Sequence, residues 1–530
     1  LGRHGQRSPN PLLGAAESRL YHRCVRTNPT GRRPLLQLGA AAMALGPGAV
    51  LAPPHALAQD LAAEGQGLDR LAGRLRRLDE DGLDPAAYAV PADGDRAALG
   101  RAAGAALADL LHGRVKDLPG RADLRRDTGR TPLGPWLAEL AAAPDPAAVI
   151  DRAALLPPDA APLKAALARA KALAAGGGWE RIPGGAPAET IEPGVHDPLR
   201  VPPLRARLAA TDPTVQRGDS PIYDAALQDA VRRFQATLGL EADGRVGRIT
   251  LAALNRPPEA SLRQLRVALD MRRGMAPPPA ERRIEVNVPH GVLQVMDGDR
   301  AVLEMAVIVG RPARATPMMR VRLNAVQFNP PWGVPERNAK EDLLPRFRRD
   351  PRAMMEKGFR VYGMVDGQRV EIDATTVDWS SVSPTRFPYF IRQNAGDNNA
   401  LGRIKFIMPN NDDIFMHDTP DRYLFRRPDR AFSSGCIRLE KPMELLDIVM
   451  EGMGGWDRGR VARVLDSRQT SSASLARTFP VRLHYTSVVV QGGEVRMRSD
   501  IYGLDEAYAR ALDAGAPGRA RLASNSVGTR

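Results

Sequence analysis

The amino-acid sequence predicts a multidomain α+β chain, and changes of pattern along its 530 residues predict where the domains begin. Leucines at helical spacing dominate the first part, and a second helical segment with a glycine-rich turn follows. Period-two alternation of apolar residues begins near residue 281. We therefore expect an N-terminal α-helical scaffold domain, a small three-helix domain, and a mainly-β domain that carries an insertion.

The first 58 residues follow the order of an export signal. Arg32 and Arg33 precede an apolar run of small residues, 35–52, and a small-x-small cleavage site follows at 56–58. The run is shorter than the roughly 20 apolar residues that a membrane-spanning helix needs. We interpret residues 1–58 as a leader peptide of the Sec or twin-arginine type. We expect a periplasmic protein with no membrane span in the mature chain.

Charge and cysteine content narrow the functional classes. The formal net charge is +14, but basic runs with interleaved aromatic residues do not occur, so we expect no nucleic-acid partner. Cys24 lies in the predicted leader, so the mature chain would keep only Cys436 and could form no internal disulfide. An unpaired cysteine in an exported protein is open to oxidation, so a functional role is expected for it. The residues around Cys436 favour such a role over that of a buried structural thiol.

Residues 59–200 are predicted to be the α-helical scaffold domain. Leucines at positions 61, 68, 71, 75 and 78 recur at near-helical spacing, and similar patterns return at 102–111 and 163–175. Proline-rich breaks separate these segments, as is typical of loops between helices. Acidic residues are scattered here and form no catalytic group.

Residues 201–260 combine an amphipathic helix with a glycine-rich turn and a second short helix. Glycines suit the positive φ of such a turn, and Thr250 is placed to cap the following helix. The segment resembles the small three-helix peptidoglycan-binding domain. The matching residues are Ala230-Val231-x-x-Phe234-Gln235, Gly239-Leu240, Asp243-Gly244-x-Val246-Gly247-x-x-Thr250 and Ala253-Leu254. Peptidoglycan binding is implied by this resemblance alone, because the motif mainly describes the fold.

Residues 281–465 are predicted to be mainly β, with an insertion of helices and loops at about 335–390. Two alternating runs, 284–288 and 292–296, predict a hairpin, and a third strand is predicted at 301–309. We expect residues 466–515 to return to the scaffold and residues 516–530 to form a disordered tail.

His417 and Cys436 are the candidate catalytic pair. A thiol is mostly protonated at neutral pH, so a nucleophilic cysteine needs a neighbouring base such as imidazole. The tetrahedral oxyanion needs donors, and the backbone amides of Gly435 and Cys436 are candidates. Arg438 would share a face with Cys436 in an extended stretch, where it could favour the thiolate, bind a carboxylate or form an ordinary ion pair.

This segment resembles the catalytic motif of the L,D-transpeptidase family, whose catalytic domain is of the YkuD type. The motif is His417 followed by Ser433-Ser434-Gly435-Cys436-Ile437-Arg438, with Ser434 where histidine is usual. The substitution is typical of the large multidomain periplasmic branch, the YcbB-type branch. Other matching stretches are Asn329-Pro330-x-Trp332-x-Val334-Pro335, Gln393-x-x-Gly396-x-x-Asn399-Ala400-Leu401-Gly402 and His417-Asp418-Thr419-Pro420.

The resemblance implies a reaction and a set of roles. Cys436 would attack the third residue of a tetrapeptide stem, release D-alanine and form a thioester, which an amine of a second stem would resolve as a 3→3 cross-link. His417 would be the base, and carbapenems would acylate Cys436. Oxyanion and supporting roles fall on Ser433, Ser434, Gly435, Asp418 and Arg438, with the Asp418 carbonyl orienting the imidazole. Substrate binding falls on Asn329, Trp332, Asn399 and Phe415, the last where tyrosine is common.

The resemblance also implies partners, namely the donor and acceptor stem peptides of peptidoglycan and other cell-wall enzymes. No metal or organic cofactor is implied, and the insertion would cap the site. An L,D-carboxypeptidase, or an enzyme that attaches a protein to the stem, would use the same acyl-enzyme. A non-catalytic wall-binding protein remains a further alternative. A zinc peptidase is disfavoured because the histidines lack close ligand spacing.

Overall fold

The computed structural model describes residues 61–92, 95–184, 190–427 and 429–514. The predicted leader, 1–58, and the predicted tail, 516–530, lie outside the described residues. The described chain is multidomain α+β, as predicted. None of its described helices is long and apolar enough to cross a membrane.

Five helices form the first part of a helical domain: α1 (Gln66–Leu75), α2 (Arg96–His112), α3 (Leu133–Ala142), α4 (Pro146–Leu155) and α5 (Ala160–Ala175). The Asp95 carboxylate accepts hydrogen bonds from the backbone N–H groups of Ala97 and Ala98 and so caps α2. Buried leucines of α2, such as Leu107 and Leu110, lie at the centre of the core. The periodicity of the sequence therefore reflects packing against neighbouring helices.

The next domain contains three helices, as predicted: α6 (Val201–Ala209), α7 (Ala225–Leu238) and α8 (Arg248–Leu254). The side chain of Gln235 accepts a hydrogen bond from Gly244 N and donates one to Asp243 Oδ1, and these two bonds fix the turn after α7. Ile182 and Ile191 are buried in the same core. The core of this domain therefore also takes in residues ahead of the predicted start at 201. Two isolated isoleucines form no periodic pattern that could have revealed this.

A long helix, α9 (Pro258–Arg272), follows the three-helix domain and packs against α5. Val267 and Met271 of α9 enter the core of the helical domain. The helical domain is therefore built from segments that are distant in sequence.

Four strands begin the mainly-β domain: β1 (Arg283–Asn287), β2 (Val292–Asp297), β3 (Arg300–Gly310) and β4 (Met319–Phe328). Antiparallel pairing of β1 with β2 gives the predicted hairpin, and β2 also pairs with β3. The buried residues alternate along β2 because one face lines the core.

An inserted subdomain with its own core follows β4. Its elements are β5 (Trp332–Gly333), α10 (Glu336–Asn338), a π-helical segment (Ala339–Leu343), α11 (Leu344–Arg349), α12 (Pro351–Glu356), β6 (Phe359–Val365), β7 (Gln368–Ile372) and β8 (Phe390–Gln393). Phe347 and Trp379 stack at 4.5 Å in this core. The prediction of helices and loops was incomplete, because the strands form a sheet in the order β5-β8-β6-β7. Strand β7 is almost wholly exposed, so its sequence has no alternation to detect.

The chain then completes the mainly-β domain and returns to the helical domain. The elements are β9 (Ile404–Ile407), β10 (Met416–His417), β11 (Ala431–Ser433), β12 (Ile437–Leu439), α13 (Pro442–Val449), α14 (Arg458–Asp466), β13 (Ser471–His484), β14 (Val488–Gln491), β15 (Glu494–Met497) and α15 (Leu504–Asp513). Short 3-10 turns lie at Leu78–Asp81, Pro85–Tyr88, Thr128–Arg130, Pro312–Arg314, Ala374–Thr376 and Arg422–Arg426.

The large sheet closes into a barrel. Its strand order is β11-β3-β12-β10-β9-β4-β13-β1-β2, and the additional pairing of β2 with β3 closes the ring. Inward-facing side chains, among them Val286, Leu323, Phe406 and Met416, are fully buried. Strand β11 pairs in parallel with the end of β3 and leads towards Cys436.

The predicted return of residues 466–515 to the scaffold was wrong for β13. This strand is part of the barrel wall, between β4 and β1, and its side chains Phe479, Val481 and Leu483 are buried. Only the later part reaches the helical domain, where Tyr508 and Leu512 of α15 enter the core. An alternating strand at the end of a domain carries no local sign of which sheet it joins.

Candidate active site

Two neighbouring barrel strands bring the segments of His417 and Cys436 together, since His417 ends β10 and Cys436 immediately precedes β12. In the parallel pairing of β10 with β12, Met416 lies opposite Ile437 and His417 lies opposite Arg438. Met416 and Ile437 are fully buried in the core. Because paired residues of neighbouring strands face the same side of a sheet, His417 and Arg438 both face away from this core, and Cys436 immediately precedes β12.

His417 is buried, with 4% of its surface exposed, and a hydrogen bond to the neighbouring backbone orients its ring. Nδ1 lies 2.5 Å from the backbone oxygen of Asp418. A carbonyl can only accept, so Nδ1 carries the proton and Nε2 keeps its lone pair. Burial, together with the charges of Arg438 and Lys405, lowers the pKa of His417 to about 3. The imidazole is therefore neutral, and the lone pair of Nε2 is the position that a transferred proton would occupy.

The carboxylate of Asp418 is held on several sides. It accepts hydrogen bonds from the backbone N–H groups of Arg403 at 2.9 Å and Thr419 at 2.7 Å. The guanidinium of Arg422 forms an ion pair with the same carboxylate. Gly402, with φ of 61°, lies directly against it, so close that a Cβ would fall 2.4 Å from the carboxyl carbon. These contacts fix the backbone carbonyl that His417 uses.

The loop before Cys436 is fixed by hydrogen bonds to its backbone. Ser433 Oγ donates to the oxygen of Cys436 at 2.6 Å and accepts from Gly435 N at 3.1 Å. Thr316 Oγ1 donates to the oxygen of Gly435 at 2.7 Å. Because its N–H is used by Ser433, Gly435 does not fit the predicted role of oxyanion donor. Of the two candidate amides, that of Cys436 remains.

A buried arginine connects this loop to the inserted subdomain. Arg314 Nη1 donates to Ser434 Oγ at 2.8 Å and to Asp342 Oδ2 at 2.6 Å, while Nη2 donates to Glu341 Oε2 at 2.5 Å. Asn338 Nδ2 also donates to Ser434 Oγ, at 3.1 Å. Glu341 and Asp342 belong to the π-helical segment, so Ser434 is a direct link between the loop and the insertion.

Cys436 is a partly exposed, free thiol. Its sulfur lies 3.7 Å from the backbone oxygen of Asp413. Burial raises the pKa of the thiol to about 11, although the nearby charges of Lys405 and Arg438 act in the opposite direction. A protonated thiol beside a neutral imidazole can react by transferring its proton during nucleophilic attack.

Two segments of the chain match known protein families. Residues 281–463 match the model of the YkuD family, described as "L,D-transpeptidase catalytic domain". The chain carries an L,D-transpeptidase catalytic domain. Residues 201–254 match a model described as "Putative peptidoglycan binding domain". The resemblance to both families is thereby confirmed, whereas assignment to the YcbB-type branch stays a prediction.

A curated protein of Haemophilus influenzae, described as "Putative L,D-transpeptidase", is 42% identical over 241 residues. The match covers 45% of this chain and 48% of that protein, so the chain spans about half the length of the curated relative it matches.

Solved L,D-transpeptidases are more distant. One from Mycobacterium smegmatis is 14% identical, with 39% of this chain and 59% of that chain covered and a TM-score of 0.18. One from Stackebrandtia nassauensis is 11% identical, with 53% and 88% covered and a TM-score of 0.19. Scores this low establish no shared arrangement.

Asn329 and Asn399 were predicted to bind substrate, but their side-chain amides form hydrogen bonds within the transpeptidase domain. Asn329 Nδ2 donates to the backbone oxygen of Val464 at 2.8 Å, and its side chain is buried. Asn399 Nδ2 donates to the oxygen of Asn394 at 2.8 Å, while its Oδ1 accepts from Leu401 N at 2.7 Å. These contacts give both asparagines a structural position and argue against direct substrate binding.

The two predicted aromatic residues have different surroundings. Trp332 packs in the core of the inserted subdomain, with its ring centroid 6.3 Å from that of Phe359. Phe415 lies next to the candidate catalytic residues, 5.5 Å from the ring of His417, and Lys405 Nζ lies 3.9 Å above its face. Of the two, Phe415 is therefore the one that adjoins the candidate pair.

Several residues at the site had no predicted role. Lys405 pairs with His417 across the sheet, and Arg314 and Thr316 fix the loop before Cys436. Arg438 forms an ion pair with Asp421 at 2.8 Å, which was one of the alternatives considered for it. No sequence spacing links these residues to Cys436, because they reach it from separate strands and loops. Within the described ranges, no group of three or more His, Cys, Asp or Glu side chains could hold a metal ion.

The raised pKa of Cys436 predicts slow alkylation at neutral pH. In a Cys24→Ser background, we expect iodoacetamide to react about a hundredfold more slowly than with a thiol of ordinary pKa, and the rate to rise about tenfold per pH unit above neutrality. Burial disfavours the thiolate, so the reactive form appears only as pH approaches the raised pKa. Intact mass at timed intervals measures this, and a plateau in the rate below pH 7 would instead indicate a preformed thiolate–imidazolium pair.

Proposed function

We propose that this protein is an L,D-transpeptidase that forms 3→3 cross-links in peptidoglycan through a Cys436 thioester. The observation that carries the proposal is the pairing of β10 with β12, which places His417 beside the segment that begins after Cys436, with Nε2 of His417 unprotonated. The match of this domain to the L,D-transpeptidase family supports the choice of substrate.

The first half-reaction transfers an acyl group to sulfur. The Cys436 thiol gives its proton to Nε2 of His417 as the sulfur attacks the carbonyl carbon of the third stem residue. The oxyanion formed accepts a hydrogen bond from the amide of Cys436. As the intermediate collapses, the bond to D-alanine breaks, its amine takes the proton from His417, and a thioester remains.

The second half-reaction returns the enzyme to its starting state. An amine of a second stem attacks the thioester carbonyl and loses a proton to Nε2 of His417. The carbon–sulfur bond breaks, the new amide is the cross-link, and the sulfur regains the proton. Because the same imidazole serves both steps, its tautomer must be fixed throughout, and the Asp418 carbonyl does this.

The supporting residues act on position and charge. Ser433 and Thr316 hold the backbone at Gly435 and Cys436. Positive charges on Lys405 and Arg438 favour the developing thiolate over the thiol. The link from Arg314 to Ser434 ties the inserted subdomain to this loop, consistent with a cap over the bound stem.

The rest of the chain fits an enzyme that acts on the cell wall. The three-helix domain would bind peptidoglycan, and the reaction would take place outside the cytoplasm, in the periplasm after removal of residues 1–58. Acylation of Cys436 by carbapenems follows from the same chemistry.

The test is product analysis with a purified disaccharide-tetrapeptide, using the full chain and Cys436→Ala. We expect a thioester adduct by intact mass, release of D-alanine and a cross-linked dimer, all missing from Cys436→Ala. Tripeptide without dimer would favour an L,D-carboxypeptidase, and attachment of an added protein amine in place of a second stem would favour protein attachment. No adduct and no turnover in either chain would favour a non-catalytic wall-binding protein.

A further inference from the structure

A large cleft lies away from Cys436, between the three-helix domain, α5, the β14–β15 hairpin and one edge of the barrel. Its volume is about 1730 Å³, and Cys436 does not line it. A site for one small molecule usually has roughly 300–1,000 Å³, so this cleft is suited to an extended ligand.

The lining is strongly positive. Nine arginines and three acidic residues contribute to it, which leaves an excess of six positive charges. Arg233 pairs with Asp212 at 2.8 Å, and Arg496 pairs with Glu494 at 3.8 Å. Among described residues, the other seven arginines have no carboxylate within the 4.0 Å of an ion pair: Arg169, Arg181, Arg207, Arg248, Arg256, Arg430 and Arg498.

Two of these unpaired arginines are partly buried where the cleft meets the barrel. Arg498 donates to the backbone oxygen of Thr237 at 3.1 Å, and burial with the charges of Arg430 and Arg496 lowers its pKa to about 10. Arg430 donates to the backbone oxygen of His290 at 2.7 Å, and its Nε is buried without a partner. Burying like charges together is unfavourable unless an anion joins them.

The opposite wall repeats the pattern. Arg207 stacks over Trp179 at 3.5 Å, and burial lowers its pKa to about 10 with no carboxylate to oppose the effect. Trp179 Nε1 is buried without a hydrogen-bond partner. Phe234 and Leu251, which belong to the matched peptidoglycan-binding segment, line the same wall. The cleft thus offers unpaired cations beside apolar surface.

We propose that this cleft binds a peptidoglycan strand through the carboxylates of its stem peptides, with Arg430 and Arg498 as the principal contacts. Guanidinium groups bind carboxylates with two parallel hydrogen bonds, and a glycan with acidic stems supplies both the anions and the apolar faces that the cleft accommodates. Arg430 immediately precedes β11, which leads to Cys436, so a bound strand would be held beside the catalytic loop. The identity of the ligand rests on the proposed function.

The experiment measures cosedimentation with purified peptidoglycan in a Cys436→Ala background of the full chain, so that no turnover occurs. We expect the paired change Arg430→Gln and Arg498→Gln to raise the apparent Kd at least about tenfold. The matched control, Arg233→Gln with Arg496→Gln, removes two cleft arginines that already have carboxylate partners, and we expect a change of less than about threefold. Amidating the free carboxylates of the peptidoglycan should abolish the difference between the two variants.

Two measurements keep the outcome interpretable. Arg498→Lys keeps the positive charge but loses the paired N–H groups of the guanidinium, so its apparent Kd should lie between those of the parent and the double variant, and it supplies a second test if the double variant does not fold. Equal binding by the double variant and its control, or tight binding of amidated peptidoglycan, would overturn the proposal. Thioester formation with a free tetrapeptide reports on Cys436 alone, so its failure would count against the proposed function and leave the cleft result standing.

Discussion

Replacing His417 with glutamine is expected to lower kcat for D-alanine release by about 10²–10⁴-fold, the usual contribution of a positioned acid–base group. Glutamine can still donate to the Asp418 carbonyl, so the local structure is retained while the proton acceptor is lost. Steady-state release of D-alanine from a disaccharide-tetrapeptide measures the effect. The loss should affect kcat and kcat/KM together, because proton transfer is needed in the transition state and not for binding.

A matched control for this substitution is His112→Gln in the helical domain. His112 is also buried and also bonds a backbone carbonyl, that of Thr131 at 2.7 Å, but it belongs to α2 and not to the barrel. The activity of this variant should stay within about twofold of the parent, since a change in the helical domain is independent of the distant barrel site. Equal losses in both variants would contradict the role of His417. An acid limb of kcat/KM near pH 6.5, rather than near pH 3, would contradict its burial as a neutral base.

Replacing Gly402 with alanine is expected to cost about 2–5 kcal/mol of barrel stability, from left-handed backbone strain and overpacking together. With φ of 61°, an alanine is strained, and its Cβ would fall 2.4 Å from the carboxyl carbon of Asp418. The carboxylate cannot move away freely, because Arg403 N and Thr419 N hold it. Urea denaturation measures the loss, and activity should fall as well, because the carbonyl that orients His417 shifts with Asp418.

Gly298→Ala separates the two causes. Gly298 lies in the turn between β2 and β3 of the same barrel, has φ of 58°, and would have nothing within 4 Å of an added Cβ. This variant should lose only the backbone term, about 1–2 kcal/mol, and keep its activity. If the two alanines cost the same, close contact with Asp418 would contribute nothing and the proposed support of the site would be wrong.

Short-range patterns account for the features that were predicted well. Helix α7 and the glycine-rich turn that follows it are encoded within about twenty residues, since periodicity and positive φ are local properties. The first three strands of the barrel appeared in the alternation of apolar residues for the same reason. His417 and Cys436 were found because thiol chemistry requires a base and a glycine-bearing loop, and both lie in short, recognisable motifs.

Contacts between distant segments account for the failures. Strand β13 alternates like any barrel strand, but its place between β4 and β1 depends on partners elsewhere in the chain. The substrate-binding role predicted for Asn329 is disfavoured because its amide meets the carbonyl of Val464, 135 residues away. The Gly435 amide does not fit the predicted role of oxyanion donor, because it donates a hydrogen bond to Ser433 Oγ.

The sequence by itself determined which chemical groups this protein has: one thiol and one imidazole in matching motifs, a three-helix module and a β domain. Only the tertiary structure decided their state. Burial makes His417 neutral and Cys436 a protonated thiol, and the fold brings Arg314 to Ser434 across 120 residues. A pKa and a hydrogen-bond partner depend on the whole surroundings of a group, and distant segments assemble those surroundings only when the chain folds.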